Sequence, residues 1–433
     1  MQKKKSALPI SSQLFMFLSI YLLFFIILSP FSITGAGAAN YEGFGSITNG
    51  ALDAPGGYTT YHVTSLANSG AGTLRDAVSQ DYRYIVFDIG GTIVLTGSLY
   101  IRSSYITIDG ASAPSPGITL SLPSGGDFVI QGPVNDIIIT NIRSDGNGVA
   151  NDGFGMYGDG GFVENVIIDH CTFANAVDGV QDTRFGIRNV TYSWNLFKDN
   201  MKGGSFSDGM GRHGISVHHN VYANCVERIP KVKSEDDGTT TQFDLVNNVV
   251  YDWRWAGLQI EPYGLHLELH VTNNYYKAVN GADESSVFIR GGDSATGHQV
   301  NFEGNIFPPG ETDDVDTDIL PPPIEGWARV TTYDASTLGD TVVPCVGTHY
   351  PTQEEKELLN EISIAIGGQG GECSLVELSG DLNNDGTIDI QDVQCCIDHI
   401  LGTQDWGSDA DVNVDGKVDE GDVEEIINII LKE

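Results

Sequence analysis

The sequence is poor in positive charge: 22 Lys and Arg stand against 58 Asp and Glu, for a formal net charge of −36. Nucleic acid and anionic lipid recruit proteins by exchanging counterions for Lys and Arg, so neither is expected as a partner. Cysteine is scarce too, with 6 in 433 residues and none at CxxC spacing. This excludes a disulfide-built scaffold and a zinc module of that kind. Cys345 and Cys373, which flank the expected end of the larger domain, are the best-placed pair for a bridge, whereas Cys171 and Cys225 read as small buried hydrophobes. Long apolar runs are missing beyond Pro30. Lys3 to Lys5, an apolar run from about Leu14 to Leu28 and the small residues Gly35 to Ala39 have the layout of a secretory signal peptide. A signal over positions 1–39 leads to a secreted, extracellular protein with no membrane segment after cleavage.

Glycine is abundant, with 53 in the chain, which favours many turns over long helices. Between about positions 100 and 310 an apolar-x-apolar-x-x-Asn-x-apolar pattern recurs: Val166 to Phe173 with Cys171 in the Asn place, Val190 to Phe197 with Asn195, Ile215 to Tyr222 with Asn220, then repeats marked by Asn248, Asn274 and Asn305. The marked positions follow one another at a nearly constant interval, which sets the period of the repeat. Short alternating strands at that period, with no helical pattern between them, fit an all-β solenoid, a right-handed parallel β-helix. An inward Asn in each coil can stack on its neighbours and satisfy the backbone where it bends. Tyr84 to Phe87 and Tyr105 to Ile108 look like the first coils, and Thr352 to Ile366 reads as a helix capping the last ones. The expected division is a β-helix domain over 40–366, a Gly-rich linker over 367–377 and a small helical calcium-binding domain over 378–433.

One coil period separates neighbouring rungs by roughly 4.8 Å. Lys202 follows Asp178 by one such period and Arg228 follows Lys202 by another, so the three are expected on one face of successive coils, with Asp169 and Asp182 nearby. Carboxylates beside long cations could form a structural ion-pair ladder. They could also hold a hard cation such as Ca²⁺ and an anionic substrate together. His170, His218 and His219 fall at repeat positions that suit a turn or stacking role better than catalysis, and Trp194 suits a wall better than a sugar platform.

Four segments resemble the successive motifs of pectate lyases of polysaccharide lyase family 1: Val166 to His170, Asp178 to Asp182, Asn200 to Lys202, and Arg228 to Lys233. The resemblance covers roughly positions 40–350 and implies a β-helix that cleaves polygalacturonate or pectin by β-elimination. Carried over by position, Asp169, Asp178 and Asp182 match calcium ligands, Lys202 and Lys233 match substrate-binding residues, and Arg228 matches the catalytic base. Lys233 stands where the family usually has Arg, and so lacks the planar fork. Arg must be in its neutral form to act as a base, and nearby calcium and Lys would favour that form, which points to an alkaline optimum. The alternatives are a pectin lyase and a catalytically silent β-helix that binds acidic polysaccharide. The Asn-Thr-Asp and Gly-His-Gly signatures of polygalacturonases do not occur.

Near the C-terminus, Asp381, Asn383, Asp385, Thr387, Asp389 and Asp392 form one calcium-loop pattern, and Asp411, Asn413, Asp415, Lys417, Asp419 and Asp422 repeat it. Gly386 and Gly416 stand at loop position 6, where such a loop turns sharply. Each loop is followed by a helical pattern, but neither is preceded by one. This duplication resembles a type I dockerin, which implies calcium and a cohesin partner on a scaffold or cell surface. Positions 10 and 11 are Ile390-Gln391 and Glu420-Gly421, not the Ser-Thr type common in clostridial dockerins.

Overall fold

A computed structural model describes residues 41–208, 213–234, 241–262, 267–279, 286–289, 299–308, 330–371, 373, 382, 390–401, 418, 421–423 and 426–427. The expected signal peptide lies outside them. The chain winds into a parallel β-solenoid with three sheets of 10, 8 and 8 strands. Eight coils give one strand to each sheet, and Thr59–Val63 and Gln299–Glu303 add a strand to the first sheet at either end. In one coil, Val163–Asp169 lies in the first sheet, Thr172–Ala174 in the second and Asp182–Arg184 in the third, before Ile187–Ser193 begins the next coil beside Val163–Asp169.

Period-2 alternation sends every second side chain inward, and the stacked coils bury them in one column. Val166, Ile168 and Phe173 are fully buried. Phe173, Phe197 and Tyr222, one per coil, stack with ring centroids 5.4 and 4.6 Å apart.

The corner between the first and second sheets is built from two residues. The first adopts a left-handed conformation, at Asn141, His170, Trp194, His219, Asn247 and Asn273. Asn tolerates that region because its short amide can bond locally. The rings at this position stack instead: His170 on Trp194 at 5.9 Å and Trp194 on His219 at 4.5 Å, with their planes nearly parallel. The next residue points inward and is Ile142 and Cys171 at the first two of these corners and Asn from Asn195 onward. Asn220 accepts from the Asn195 backbone N–H at 2.9 Å and from its side-chain amide at 3.0 Å, and donates to the Tyr192 and His218 carbonyls. The same links run through Asn248 and Asn274 to Asn305, and Cys171 begins the ladder by donating its N–H to Asn195.

Two features cover the outside of the solenoid. Residues 41–53 cross the outer face of the first sheet, where Gly45 N–H donates to Thr191 Oγ1 at 2.9 Å and Ala51 N–H to Thr107 Oγ1 at 3.0 Å. The approach requires glycine: a Cβ on Gly45 would sit 2.5 Å from the Val166 carbonyl oxygen. The helix Gln353–Ala365 begins at Thr352, which forms a capping box with Glu355. Its sequence pattern suggests a cap on the last coils. Instead Leu359, Ile362 and Ile366 pack on Leu196, Val221, Ala223, Val249 and Tyr251, along the flank of the second sheet. The same Glu355 pairs with Arg143 at 2.6 Å, both side chains being almost fully buried.

The Cys345–Cys373 bridge is formed, and Cys171 and Cys225 are buried free thiols. The start of the Gly-rich stretch is tied to the helix: Gly370 N–H donates to Ser363 Oγ and Gly371 N–H to Asn360 Oδ1. Further on, the helix Ile390–Ile400 contributes Val393 and Cys396 to a small core with Leu382 and Ile426. Among the described residues no helix is long and apolar enough to cross a membrane.

Candidate active site

The turns that lead from the second sheet into the third carry the charged residues. Isolated parallel bridges join Gly179 to Lys202 and Lys202 to Glu227, so Asp178, Lys202 and Arg228 lie on consecutive rungs of one face. Lys202 Nζ pairs with Asp178 Oδ1. Arg228 adopts φ 58°, a left-handed conformation that an arginine rarely takes, and its Nε lies 3.9 Å from Glu227 Oε1. Backbone strain of this kind collects at functional sites.

Asp182 starts the third-sheet strand on its outer face. It pairs with Arg184, and its Oδ1 accepts from the Ser205 N–H at 3.2 Å. Lys231 and Lys233 occupy the same face two coils later, in register with Asp182 and Arg184 through Ser205 and Ser207. Lys231 pairs with the buried Glu261 at 2.8 Å.

The structure does not bring Asp169 to this cluster, which corrects the expected grouping. Asp169 ends a first-sheet strand, and the whole second-sheet strand Thr172–Ala174 and a turn separate it from Asp178. Its carboxylate accepts from Ser193 Oγ and pairs with His170 Nδ1, each at 2.5 Å. Burial, the largest single influence, opposes protonation of His170, but the charge of Asp169 and its hydrogen bond together outweigh it and raise the imidazole pKa. Burial lowers the His218 value to about 4 and holds that of His219 well below its usual range, so both rings are neutral near pH 7 and serve the corner rather than acid–base chemistry.

Asp152 takes the place that Asp169 leaves. It precedes Asp178 by one coil period, so extending the spacing of Asp178, Lys202 and Arg228 backwards along the chain leads to it. Asp152 Oδ1 accepts from the Gly179 N–H at 3.1 Å, Oδ2 accepts from the Tyr157 hydroxyl at 2.7 Å, and its own N–H donates to Asp127 one coil earlier. A Cβ at Gly179 would lie 2.7 Å from Asp182 Oδ1 and 3.1 Å from Asp152 Oδ1, so two carboxylates converge on this glycine. Burial raises the Asp152 pKa, and nearby Asp178 adds to the rise. A cation among these groups would relieve that repulsion.

The donors are all oxygens, as a hard cation requires. Asp178 and Asp182 are engaged by Lys202 and Arg184, and among the described residues no three acidic, His or Cys side chains are gathered closely enough to enclose a metal. Of the C-terminal loop residues, Asp392 and Asp422 are buried, and Asp392 Oδ1 accepts from the Leu382 N–H at 2.7 Å. Asp381, Asn383, Asp385, Thr387, Asp389, Asp411, Asn413, Asp415, Lys417 and Asp419 lie outside the described residues.

Residues 379–431 match the dockerin type I domain family. The chain is 32% identical over 260 residues to a probable pectate lyase C of Aspergillus oryzae, covering 58% of this chain and 57% of that one. It is 31% identical over 273 residues to the Emericella nidulans protein of the same name, covering 62% and 58%. The chain thus spans a little over half the length of these relatives. A Thermotoga pectate trisaccharide-lyase is 32% identical over 122 residues, or 25% of this chain and 33% of the relative. Among solved structures, a thermostable pectate lyase aligns with TM-score 0.52 and 14% identity over 74% of this chain and all of the other. A pectate lyase bound to a hexasaccharide aligns over the same shares with TM-score 0.51 and 14% identity. The solenoid therefore has the fold of the pectate lyase structures it aligns with, and the segment that matches the dockerin type I family follows it in the sequence.

Proposed function

We propose that the protein is a secreted, calcium-dependent pectate lyase that cleaves polygalacturonate by β-elimination and is tethered to a cohesin through its dockerin. The observation that carries this reading is the ladder Asp152, Asp178, Lys202 and Arg228 along one turn of successive coils, with Asp182 beside it. Binding an anionic polymer would need the cations alone. Carboxylates at one end of the ladder and a strained Arg at the other suit a cation-assisted proton abstraction.

Asp152, Asp178 and Asp182 are the oxygen donors that would close on the calcium, with Lys202 and Arg184 giving up their pairing with Asp178 and Asp182. Bound there, calcium supplies positive charge that neutralises the uronate carboxylate and so acidifies the adjacent C5 proton. Lys202 and Lys233 would orient the carboxylates of neighbouring sugars. Arg228, as the neutral guanidine, would take the C5 proton and become guanidinium, the C5–H electrons form the C4=C5 double bond, and the C4–O bond breaks. The departing glycosidic oxygen takes a proton from water, leaving a 4,5-unsaturated uronate at the new non-reducing end. Fixed cations that meet charge as it develops lower the barrier without reorganising.

The test is to incubate the protein with polygalacturonate, with calcium or with chelator, and to follow ultraviolet absorbance of the unsaturated product. Absorbance that appears with calcium and is lost with chelator supports the reading. Absorbance unaffected by chelator overturns the calcium role, and none in either condition overturns the lyase.

A further inference from the structure

The outward face of the third sheet carries a column of side chains, one per coil, that runs well beyond the residues assigned to the reaction. Ile101 and Ile130 are fully buried, so period-2 alternation turns their neighbours Arg102 and Gln131 outward, side by side. Strand register carries the column on from Gln131 through Tyr157, Arg184 and Ser207 to Lys233. Lys233 shares its coil with Arg228, and Arg102 stands five coils before it. At roughly 4.8 Å per rung the two ends of the column are about 24 Å apart.

Arg102 is held rigidly, yet not by an acid. Its Nε and Nη2 both donate to Gln131 Oε1, at 2.8 and 2.6 Å, and its guanidinium lies over the Tyr100 ring, 4.2 Å from the centroid. Arg184 on the same column pairs with Asp182. Arg102, by contrast, meets no carboxylate among the described residues, and the side chain is exposed. The edge formed by Nη1 and the second N–H of Nη2 is thus open to a ligand. In a chain of net charge −36, an exposed guanidinium without an acid beside it is a point where an anionic polymer can be held. A planar guanidinium takes a carboxylate through two parallel N–H bonds, and the contacts with Tyr100 and Gln131 reduce the freedom lost when it does so.

An extended 1,4-linked uronate chain advances by about one sugar per rung of roughly 4.8 Å. A chain that reacts beside Arg228 and follows the column therefore reaches Arg102 only about five sugars away. Resting on the lyase reading, we propose that Arg102, oriented by Tyr100 and Gln131, forms a distal subsite for the carboxylate of such a remote uronate. Long chains then gain binding that short oligomers, confined to the reacting coils, do not.

The experiment measures kcat/KM of the full chain with calcium on oligogalacturonates from trimer to octamer and on polygalacturonate, for the wild type, Arg102→Ala and Arg102→Lys. The wild type is expected to gain in kcat/KM with length up to about the hexamer. Arg102→Ala is expected to lose about fivefold on the octamer and the polymer, and to match the wild type on the shortest oligomer that the wild type cleaves. Arg102→Lys, which keeps the charge and loses the fork, is expected to fall between them. Because the side chain is exposed, the melting temperatures of the three proteins should agree. A loss shared equally by short and long oligomers overturns the distal subsite, as does a length profile that Arg102→Ala leaves unchanged; both leave the lyase reading intact. Failure of the wild type to cleave any of these substrates overturns the lyase reading itself.

Discussion

Asp178 and Lys202, one coil apart in the chain, stand on adjacent rungs and pair across them. Their pairing fixes the register of the whole functional face, because the bridge that aligns Lys202 with Gly179 also aligns it with Glu227, next to Arg228. One coil earlier, Asp152 reaches the same glycine from below.

Gly179 is the first place to perturb. A Cβ there would press on both Asp182 and Asp152. Gly179→Ala is expected to cut calcium-supported activity by about tenfold or more while shifting the melting temperature only slightly, since the cost falls on the carboxylates of the turn rather than on the core. A calcium titration of activity would check this; an unchanged half-saturation would remove Gly179 from the site.

The Asn ladder is expected to be structurally essential at its centre. Asn220→Ala leaves the buried Asn195 N–H and side-chain amide without their acceptor and the Tyr192 carbonyl without its donor. Each such orphan costs on the order of 1–3 kcal/mol. Thermal unfolding of this variant should begin several degrees lower than in the wild type.

The Arg143–Glu355 pair pins the flanking helix to the solenoid. Glu355→Ala strands a buried guanidinium and breaks the capping box, for an expected loss of about 3–5 kcal/mol. Replacing both partners, Arg143→Met with Glu355→Leu, should cost less than Glu355→Ala alone. Chemical denaturation of the three proteins separates these outcomes.

Asp244 introduces a pH dependence. It lies on the outer face of the first sheet between Ser216 and His270, and burial pushes its pKa from 3.8 to about 7. The folded value exceeds the unfolded one, so the stability that its protonated state allows is fully present below the unfolded pKa. That stability is lost as pH rises toward 7, because ionisation is then easier in the unfolded chain. Asp244→Asn is expected to abolish that decline and to stabilise the protein at pH 8 by up to about 4 kcal/mol. Melting curves from pH 4 to pH 8 test this; parallel curves for the two proteins would contradict it.

The ladder residues Asn195 to Asn305 are legible in the sequence because one position per coil must satisfy the bent backbone, and only a short amide does so while stacking on its neighbours. The arm at residues 41–53 is not legible, since it folds on the sheet through glycine backbone contacts that leave no periodic trace. The flanking helix is recognisable by its cap, but its docking place is not: that depends on Arg143, far away in the chain. At the site, the coil period alone places Asp178, Lys202 and Arg228 on one face. Asp169 is the exception, because its place beside His170 in a motif says nothing about its rung, whereas one further period back from Asp178 leads to Asp152.

The central claim is that Arg228 removes a proton in a β-elimination. Its direct test is the ultraviolet absorbance of unsaturated product formed from polygalacturonate by the wild type and by Arg228→Lys at saturating calcium, with substrate binding measured alongside. The wild type is expected to generate the absorbing product, and the variant to lose turnover by about a thousandfold or more while still binding the polymer. An Arg228→Lys protein that turns over at the wild-type rate, or chain cleavage by the wild type without absorbing product, would contradict it.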